Sequence, residues 1–99
     1  MLHSVPELMQ DLARRLKVLR LSKELTQLGL SKRSGVSLAV VRLFERTGKI
    51  SLESLLKLAL ALGAERDFAQ LFRQPVPDES ISLDQLLERS KKRKRGRIV

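Results

Sequence analysis

The sequence predicts an all-α fold of five helices, followed by a linker, a short C-terminal helix and a basic tail. Apolar residues recur at helical spacing in successive segments, and Ser, Thr and Gly stand where helices would begin and end. No segment alternates apolar and polar residues as a half-buried strand would. The 99 residues suffice for one modest core, which must be largely aliphatic because the chain has no Trp or Tyr and only three Phe.

A long amphipathic pattern opens the chain. Ser4 and Glu7 have the spacing of a capping box, and Pro6 is acceptable in the first turn of a helix. We therefore expect a first helix of about four or five turns that buries one apolar stripe. The stripe comprises Val5, Leu8, Met9, Leu12, Leu16 and Leu19.

Residues 26–37, TQLGLSKRSGVS, have the layout of two short helices joined by a tight turn. Thr26 is suited to cap the first helix, Leu30 to anchor it, and Gly35 to end it in a left-handed turn. Ser37 is suited to cap the next helix. This layout is typical of a helix-turn-helix, which places its second helix in the major groove of DNA. Duplex DNA is therefore the expected ligand.

The remaining helices follow from the same signals. A fourth helix begins after Ser51 and ends before Gly63, and its leucines are expected to lie in the core. Pro75 and Pro77 then interrupt the helical pattern. The expected bounds are 27–34 for the second helix, 38–46 for the third and 65–72 for the fifth. The apolar residues of the fourth helix are Leu52, Leu55, Leu56, Ala59, Leu60 and Leu62.

Three regions are expected: a DNA-binding domain at 1–73, a Pro-containing linker at 74–80, and a short helix with a basic tail at 81–99. Ser82 and Gln85 have the spacing of a second capping box. A lone short helix is marginal in water and needs a surface to pack on. That surface belongs to the same domain, to a second copy or to another protein, and the sequence does not choose among them. The apolar stripe of this helix is Ile81, Leu83, Leu86 and Leu87.

The formal net charge of +9 is unevenly distributed. Residues 14–49 carry ten Lys or Arg and two Glu, whereas residues 50–88 carry three basic and seven acidic residues. Residues 89–99 carry seven basic residues and no acidic one. A polyanion is the partner that this pattern favours. The alternative is that the charge only keeps the chain in solution, and this alternative has more weight for the tail.

Several other classes of function are disfavoured. His3 is the only histidine and the chain has no Cys, so no His-based catalytic triad or His- and Cys-rich metal site is expected. No glycine-rich phosphate loop occurs, and we expect neither an enzyme nor a cofactor. No apolar segment approaches the roughly 18 to 20 residues of a membrane helix. We expect a cytoplasmic protein, consistent with the lack of disulfides.

The run from about Leu12 to Leu62, about half of the chain, resembles the Cro and lambda-repressor type of helix-turn-helix, the XRE family. The stretch that carries the resemblance, with every spacing intact, is LTQLGLSKRSGVSLAVVRLFERTGKISLESLLKLALALG. The run FERTGKISLESLLKLALALG, followed by a proline break, a short helix and a basic end, more narrowly resembles the HipB-like antitoxins. The resemblance implies a homodimer on a palindromic or repeated operator, and two-fold symmetry would place the recognition helices about 34 Å apart. It also implies a repressor of its own operon that binds a HipA-family toxin kinase.

The resemblance implies the site residues. Arg42 is the best candidate to contact guanine, while Leu38 and Ala39 are suited to pack on thymine methyl groups. Val41 and Phe44 are expected to face inward by periodicity. The base-reading positions are Ser37, Leu38, Ala39, Val40, Arg42 and Leu43. The phosphate-binding positions are Gln27, Arg20, Arg46, Thr47, Gly48 and Lys49.

Arg20 is expected to form an ion pair with Glu45 that helps to orient an arginine toward the DNA backbone, the alternative being that Arg20 only extends along the first helix to solvent. Gly48 is expected to let the main chain approach a phosphate. Two residues depart from the family pattern: Ser31 stands where Ala is usual, and Gly29 lies inside the second helix. Gly29 costs about 1 kcal/mol relative to Ala, so a looser second helix is expected.

Other functions remain open. The chain could be a stand-alone phage or chromosomal regulator of the same family, or an antitoxin subunit whose DNA binding is secondary. It could also be a non-specific nucleic-acid binder driven by the basic tail. No residue separates these alternatives.

Overall fold

The computed structural model describes residues 3–74 and residue 87 of the chain. Five α-helices make up this part of the chain, and it contains no strand, so the all-α prediction is confirmed. The predicted linker, sixth helix and basic tail lie outside the described residues, apart from Gln74 and Leu87. The helices are α1 (Val5–Ser22), α2 (Gln27–Ser34), α3 (Leu38–Thr47), α4 (Leu52–Ala61) and α5 (Glu65–Ala69).

Hydroxyl side chains fix where four of the helices begin. In each case the Oγ atom accepts a hydrogen bond from the backbone N–H three residues later, which satisfies a donor that the helix itself leaves unpaired. At Ser4 the same hydroxyl also donates to Oε1 of Glu7, at 2.9 Å. The four caps are Ser4 to Glu7 at 3.2 Å, Thr26 to Gly29 at 2.9 Å, Ser37 to Val40 at 3.2 Å and Ser51 to Ser54 at 3.1 Å.

The fifth helix is shorter than predicted. It ends at Ala69 instead of Phe72, whose backbone has a φ of +58°. Its first residue follows Ala64, which offers no side chain to cap the helix, and none of its residues is buried. A helix without a cap or a buried face has few interactions that would stabilise further turns.

The core lies between α1, α2, α3 and α4, and Ala13 and Leu16 of α1 belong to it. The largest fully buried side chains are Phe44 and Val41 of α3, Leu30 of α2 and, from α4 and its C-terminal end, Leu58 and Leu62. The inward orientation predicted for Val41 and Phe44 is therefore confirmed. α3 is the central helix, because both α1 and α2 pack against it.

The prediction that α1 buries its whole apolar stripe is wrong for its N-terminal half. Leu16 is buried, but Val5, Leu8 and Leu12 are exposed. The side of α1 that carries Met9 and Ala13 is covered, since Met9 lies beside Gly48 and Ala13 is buried, whereas Leu8 and Leu12 lie on the adjacent side of the helix. None of the helices in the described part of the chain is long and apolar enough to cross a membrane.

The sequence predicted that the leucines of α4 lie in the core, but not all of them do. Leu58 is fully buried, whereas Leu52, Leu56 and Leu60 are exposed. Leucines lie on more than one face of α4. Among the described residues, the packing partners of α4 lie mainly on its face toward α2 and α5. An apolar ridge is therefore left on the outer surface of α4.

Candidate nucleic-acid interface

The turn between α2 and α3 is held by several hydrogen bonds. Gly35 has a φ of +79°, and its N–H donates to the carbonyl of Ser31 at 3.0 Å. The Ser31 hydroxyl donates to the carbonyl of Val36 at 2.6 Å, and the N–H of Val36 donates to Oγ of Ser34 at 3.1 Å. The side chain of Val36 is buried in the core. The orientation of α3 relative to α2 is therefore fixed by both polar and apolar contacts.

Both departures from the family pattern have a local structural role. Ser31 forms the bond to Val36, which Ala could not form. A Cβ atom on Gly29 would lie 3.3 Å from Oγ1 of Thr26, the atom that caps α2 by accepting from the N–H of Gly29. These contacts do not support the expected loosening of the second helix.

The front of α3 presents a mixed surface. Ser37, Ala39, Arg42 and Leu43 are exposed, whereas Leu38 is half-buried. Leu38 and Val40 were both expected to be exposed, but both are half-buried, and Val40 packs against the core. The difference arises because Val40 lies next to the buried face of α3 on the helix surface. The exposed front of α3 thus carries one hydroxyl, one guanidinium and two apolar groups.

A buried ion pair connects α1 to α3. The Nε and Nη2 atoms of Arg20 donate to the two carboxylate oxygens of Glu45, at 2.8 and 3.0 Å. Both side chains are almost fully buried, at 6% and 4% exposure. The predicted pair is confirmed, and the alternative in which Arg20 extends to solvent is wrong.

The same network extends to the N-terminus of α2. Nε2 of Gln27 donates to Oε1 of Glu45 at 3.1 Å, and Nη1 of Arg20 donates to the carbonyl of Leu25 at 2.7 Å. Arg20 therefore uses its donors inside the domain and is poorly placed to bind a phosphate directly. Its role is to hold Glu45 and, through it, Gln27, whose half-buried side chain lies at the start of α2.

The loop after α3 carries Arg46 and Lys49, which are both exposed. Thr47 closes the end of the helix, because its hydroxyl donates to the carbonyl of Leu43 at 2.7 Å and accepts from the N–H of Lys49 at 3.1 Å. These bonds fix the path of the backbone between the two cations.

Gly48 makes its close approach inside the domain and not toward an external ligand. It is buried, with a φ of +81°, and an added Cβ atom would lie 2.7 to 2.9 Å from backbone and Cβ atoms of Met9. The predicted role of Gly48 in phosphate contact is therefore corrected: Gly48 lets the loop after α3 pack on α1. The sequence predicted a close approach of the main chain at Gly48, but which surface it approaches depends on the tertiary structure.

The surface of α2, α3 and the following loop is strongly positive. From Gln27 to Lys49 the sole acidic residue is Glu45, and its carboxylate is buried against Arg20. The exposed cations are Lys32, Arg33, Arg42, Arg46 and Lys49. No group of three or more His, Cys, Asp or Glu side chains within the described residues could hold a metal ion.

Comparison with known proteins does not assign the chain to a family. No protein-family model matches it, and no curated protein sequence matches it. The geometry and charge of α2, α3 and the following loop are therefore the basis for a functional conclusion.

Proposed function

We propose that this chain is a sequence-specific DNA-binding transcriptional repressor with a Cro or lambda-repressor type of helix-turn-helix. The observation that carries the proposal is the position of α3. One face of this helix is fixed by Val41, Phe44 and the buried Glu45, while the opposite face is exposed beside several cations and no exposed anion. A helix held rigidly in this way is suited to enter the major groove.

Base reading is assigned to the exposed front of α3. Arg42 contacts guanine through two of its guanidinium nitrogens, while Ala39 and Leu43 contact thymine methyl groups. Ser37 supplies a hydroxyl next to the N-terminus of the helix. This surface has few hydrogen-bonding groups, so part of the specificity comes from the shape of the DNA. Leu38 and the half-buried Val40 border the reading surface.

Backbone contacts are assigned to the two ends of the motif. Arg46 and Lys49 neutralise phosphates after α3, where Thr47 fixes the backbone between them. At the other end, the amide groups at the N-terminus of α2 approach a phosphate, and Gln27 is held in place by Glu45. Two copies bind a palindromic operator, with their α3 helices about 34 Å apart.

The biological setting that we propose is a toxin–antitoxin operon, in which the chain represses its own transcription and binds a HipA-family kinase. This part rests on the resemblance of residues 44–63 and the region after them to HipB-like antitoxins. Isothermal titration with a purified HipA-family kinase tests it. A saturable complex supports the antitoxin role, whereas the absence of binding, together with intact operator binding, favours a stand-alone regulator.

Operator binding is tested by selecting duplexes from a random pool and then measuring affinity for a selected and a shuffled duplex over a series of salt concentrations. The matched variant replaces the basic residues of segment 91–97 with Gln. We expect a preference of at least about 1,000-fold for the selected duplex, retained by the variant. Equal binding to both duplexes, lost in the variant, would assign the binding to the tail and refute the proposal.

A further inference from the structure

A second surface of the domain is apolar and lies apart from the proposed DNA-binding face. Leu52, Leu56 and Leu60 follow one another at four-residue spacing along α4 and are 66%, 41% and 66% exposed. Residues at this spacing form a continuous ridge on a helix. We call these three leucines the α4 ridge.

A groove of about 480 Å³ lies beside the α4 ridge. Leu12, Leu16 and Leu19 of α1 form one wall, Phe68 and Leu71 form the other, and Leu55 lies on the α4 side. Leu55 and Ala59 are next to Leu52 and Leu56 on the surface of α4, so the ridge and the groove are contiguous. No residue of α2 or α3 lines the groove.

We propose that two copies of this chain associate by inserting the α4 ridge of each into the groove of the other. A ridge and an adjacent groove on one molecule are self-complementary under a two-fold rotation, which is the usual symmetry of a homodimer. This inference takes from the proposed function only the expectation that the chain pairs, and it names the surface that pairs.

Exposed apolar side chains supply the centre of such an interface. Leu71 lines the far wall of the groove, and the neighbouring Phe72 has a side chain that is 95% exposed. An aromatic side chain buries roughly 150 to 250 Å² in a protein interface, and about 800 Å² per partner is standard for a stable complex. The α4 ridge, Leu71 and Phe72 provide part of that area, and the lining of the groove must provide the rest.

Charge distinguishes a second copy from a nucleic acid as the occupant. The polar edge of the α4 ridge carries Glu53 and Lys57, which lie 3.8 Å apart, and the groove is bordered by Arg15 and Asp67. Each edge has one charge of each sign, so a second copy meets no net repulsion, and a polyanion finds no excess of cations.

The interface is tested by sedimentation equilibrium of the full chain without DNA over a wide concentration range. Leu60→Glu places a charge on the ridge, and Leu21→Glu is the matched control because Leu21 is 54% exposed on the opposite side of α1 from the groove. We expect the wild type and Leu21→Glu to dimerise equally and Leu60→Glu to dimerise on the order of 100-fold more weakly. Thermal unfolding by circular dichroism shows whether each variant is folded.

A complementary pair of variants tests the exchange of ridge and groove. Leu60→Lys alters the ridge and Leu12→Glu alters the wall of the groove. Each variant alone should self-associate more weakly than the wild type. A mixture of the two should form heterodimers, because the ridge with Lys then meets the groove with Glu, and the second pair of ridge and groove is unchanged. A homodimer that joins ridge to ridge would leave Leu12→Glu unaffected and give no recovery in the mixture.

Three results would overturn the inference: a wild-type chain that is monomeric at every concentration, a folded Leu60→Glu that dimerises normally, or a failure of the mixed variants to recover. A monomeric wild type in which Leu60→Glu lowers the unfolding temperature would mean that the chain covers its own ridge. The proposed DNA-binding function is tested independently of the dimer interface. If the chain prefers no duplex while Leu60→Glu still prevents dimerisation, the proposed interface is supported and the proposed repressor function is refuted.

Discussion

At the scale of single residues, the central feature is the buried network of Arg20, Glu45 and Gln27. The resemblance of the sequence to a known family pointed to the first two residues as a pair. The third member and the bond to the carbonyl of Leu25 required the structure, because they depend on how α1 meets the start of α2. A buried charge of this kind is stable only while its partner is present.

Replacing Glu45 with Ala should destabilise the domain strongly. The change leaves the guanidinium of Arg20 buried without its carboxylate, which typically costs about 3 to 5 kcal/mol. Urea unfolding followed by circular dichroism measures the loss. Glu53→Ala is the control, because Glu53 faces Lys57 on the surface and its removal should change stability by less than about 0.5 kcal/mol. Equal effects in the two variants would contradict the proposed role of the network.

Two glycines with nearly the same backbone conformation allow packing to be separated from conformational strain. Gly35 and Gly48 have φ values of +79° and +81°, but an added Cβ atom has open space at Gly35 and meets Met9 at Gly48. Gly35→Ala should cost about 1 to 2 kcal/mol through its left-handed backbone alone. Gly48→Ala should cost at least about 1 kcal/mol more, because the loop must move away from α1. Similar free energies of unfolding for both variants would refute the contact with Met9.

At the scale of helices, local signals predicted the starts of α1 to α4 well and the buried faces less well. Ser4, Thr26, Ser37 and Ser51 all cap helices as their positions suggested, because capping depends on a few neighbouring residues. The exposed leucines of α1 and α4 were not predicted. Periodicity shows which residues share a face, but whether that face is covered depends on the lengths and positions of other helices.

The caps of α3 and α4 provide a test of which helix faces DNA. Asp is as good a cap as Ser, so Ser37→Asp and Ser51→Asp should both leave stability within about 0.5 kcal/mol of the wild type. Ser37→Asp places a carboxylate at the front of α3 and should weaken binding to a selected duplex by at least about tenfold. Ser51→Asp should bind almost normally. Fluorescence anisotropy with labelled duplex measures both, and equal loss in the two variants would contradict the assignment of α3.

At the scale of the whole molecule, charge and apolar surface are segregated. The surface of α2, α3 and the loop after α3 carries five exposed cations and, within residues 27–49, no exposed carboxylate, while the exposed leucines of α4 lie beside a groove that these elements do not line. The sequence predicted the first half of this division, since residues 14–49 hold most of the positive charge outside the tail. It did not predict the groove, which is formed between α1 and residues 55–71, two segments that are distant along the chain.

Arg42 and the two cations that flank Gly48 should affect DNA binding differently. Arg46→Gln and Lys49→Gln should each weaken binding to selected and shuffled duplexes alike, and each should reduce the slope of log affinity against log salt by about 1. Arg42→Gln should instead weaken the selected duplex by about 1 to 3 kcal/mol with little effect on the shuffled one. Salt-dependent titrations of the three variants measure both quantities. A uniform loss in Arg42→Gln would place this side chain on the backbone and not on a base.

The measurement that tests the central claim most directly is NMR mapping of the backbone amides of the full chain on titration with a selected duplex. We expect the largest shifts at Ser37 to Leu43, with further shifts at Gln27 and Lys49, and almost none along the α4 ridge. Shifts confined to residues 89–99, or centred on α4 and the groove, would contradict the claim that α3 reads DNA.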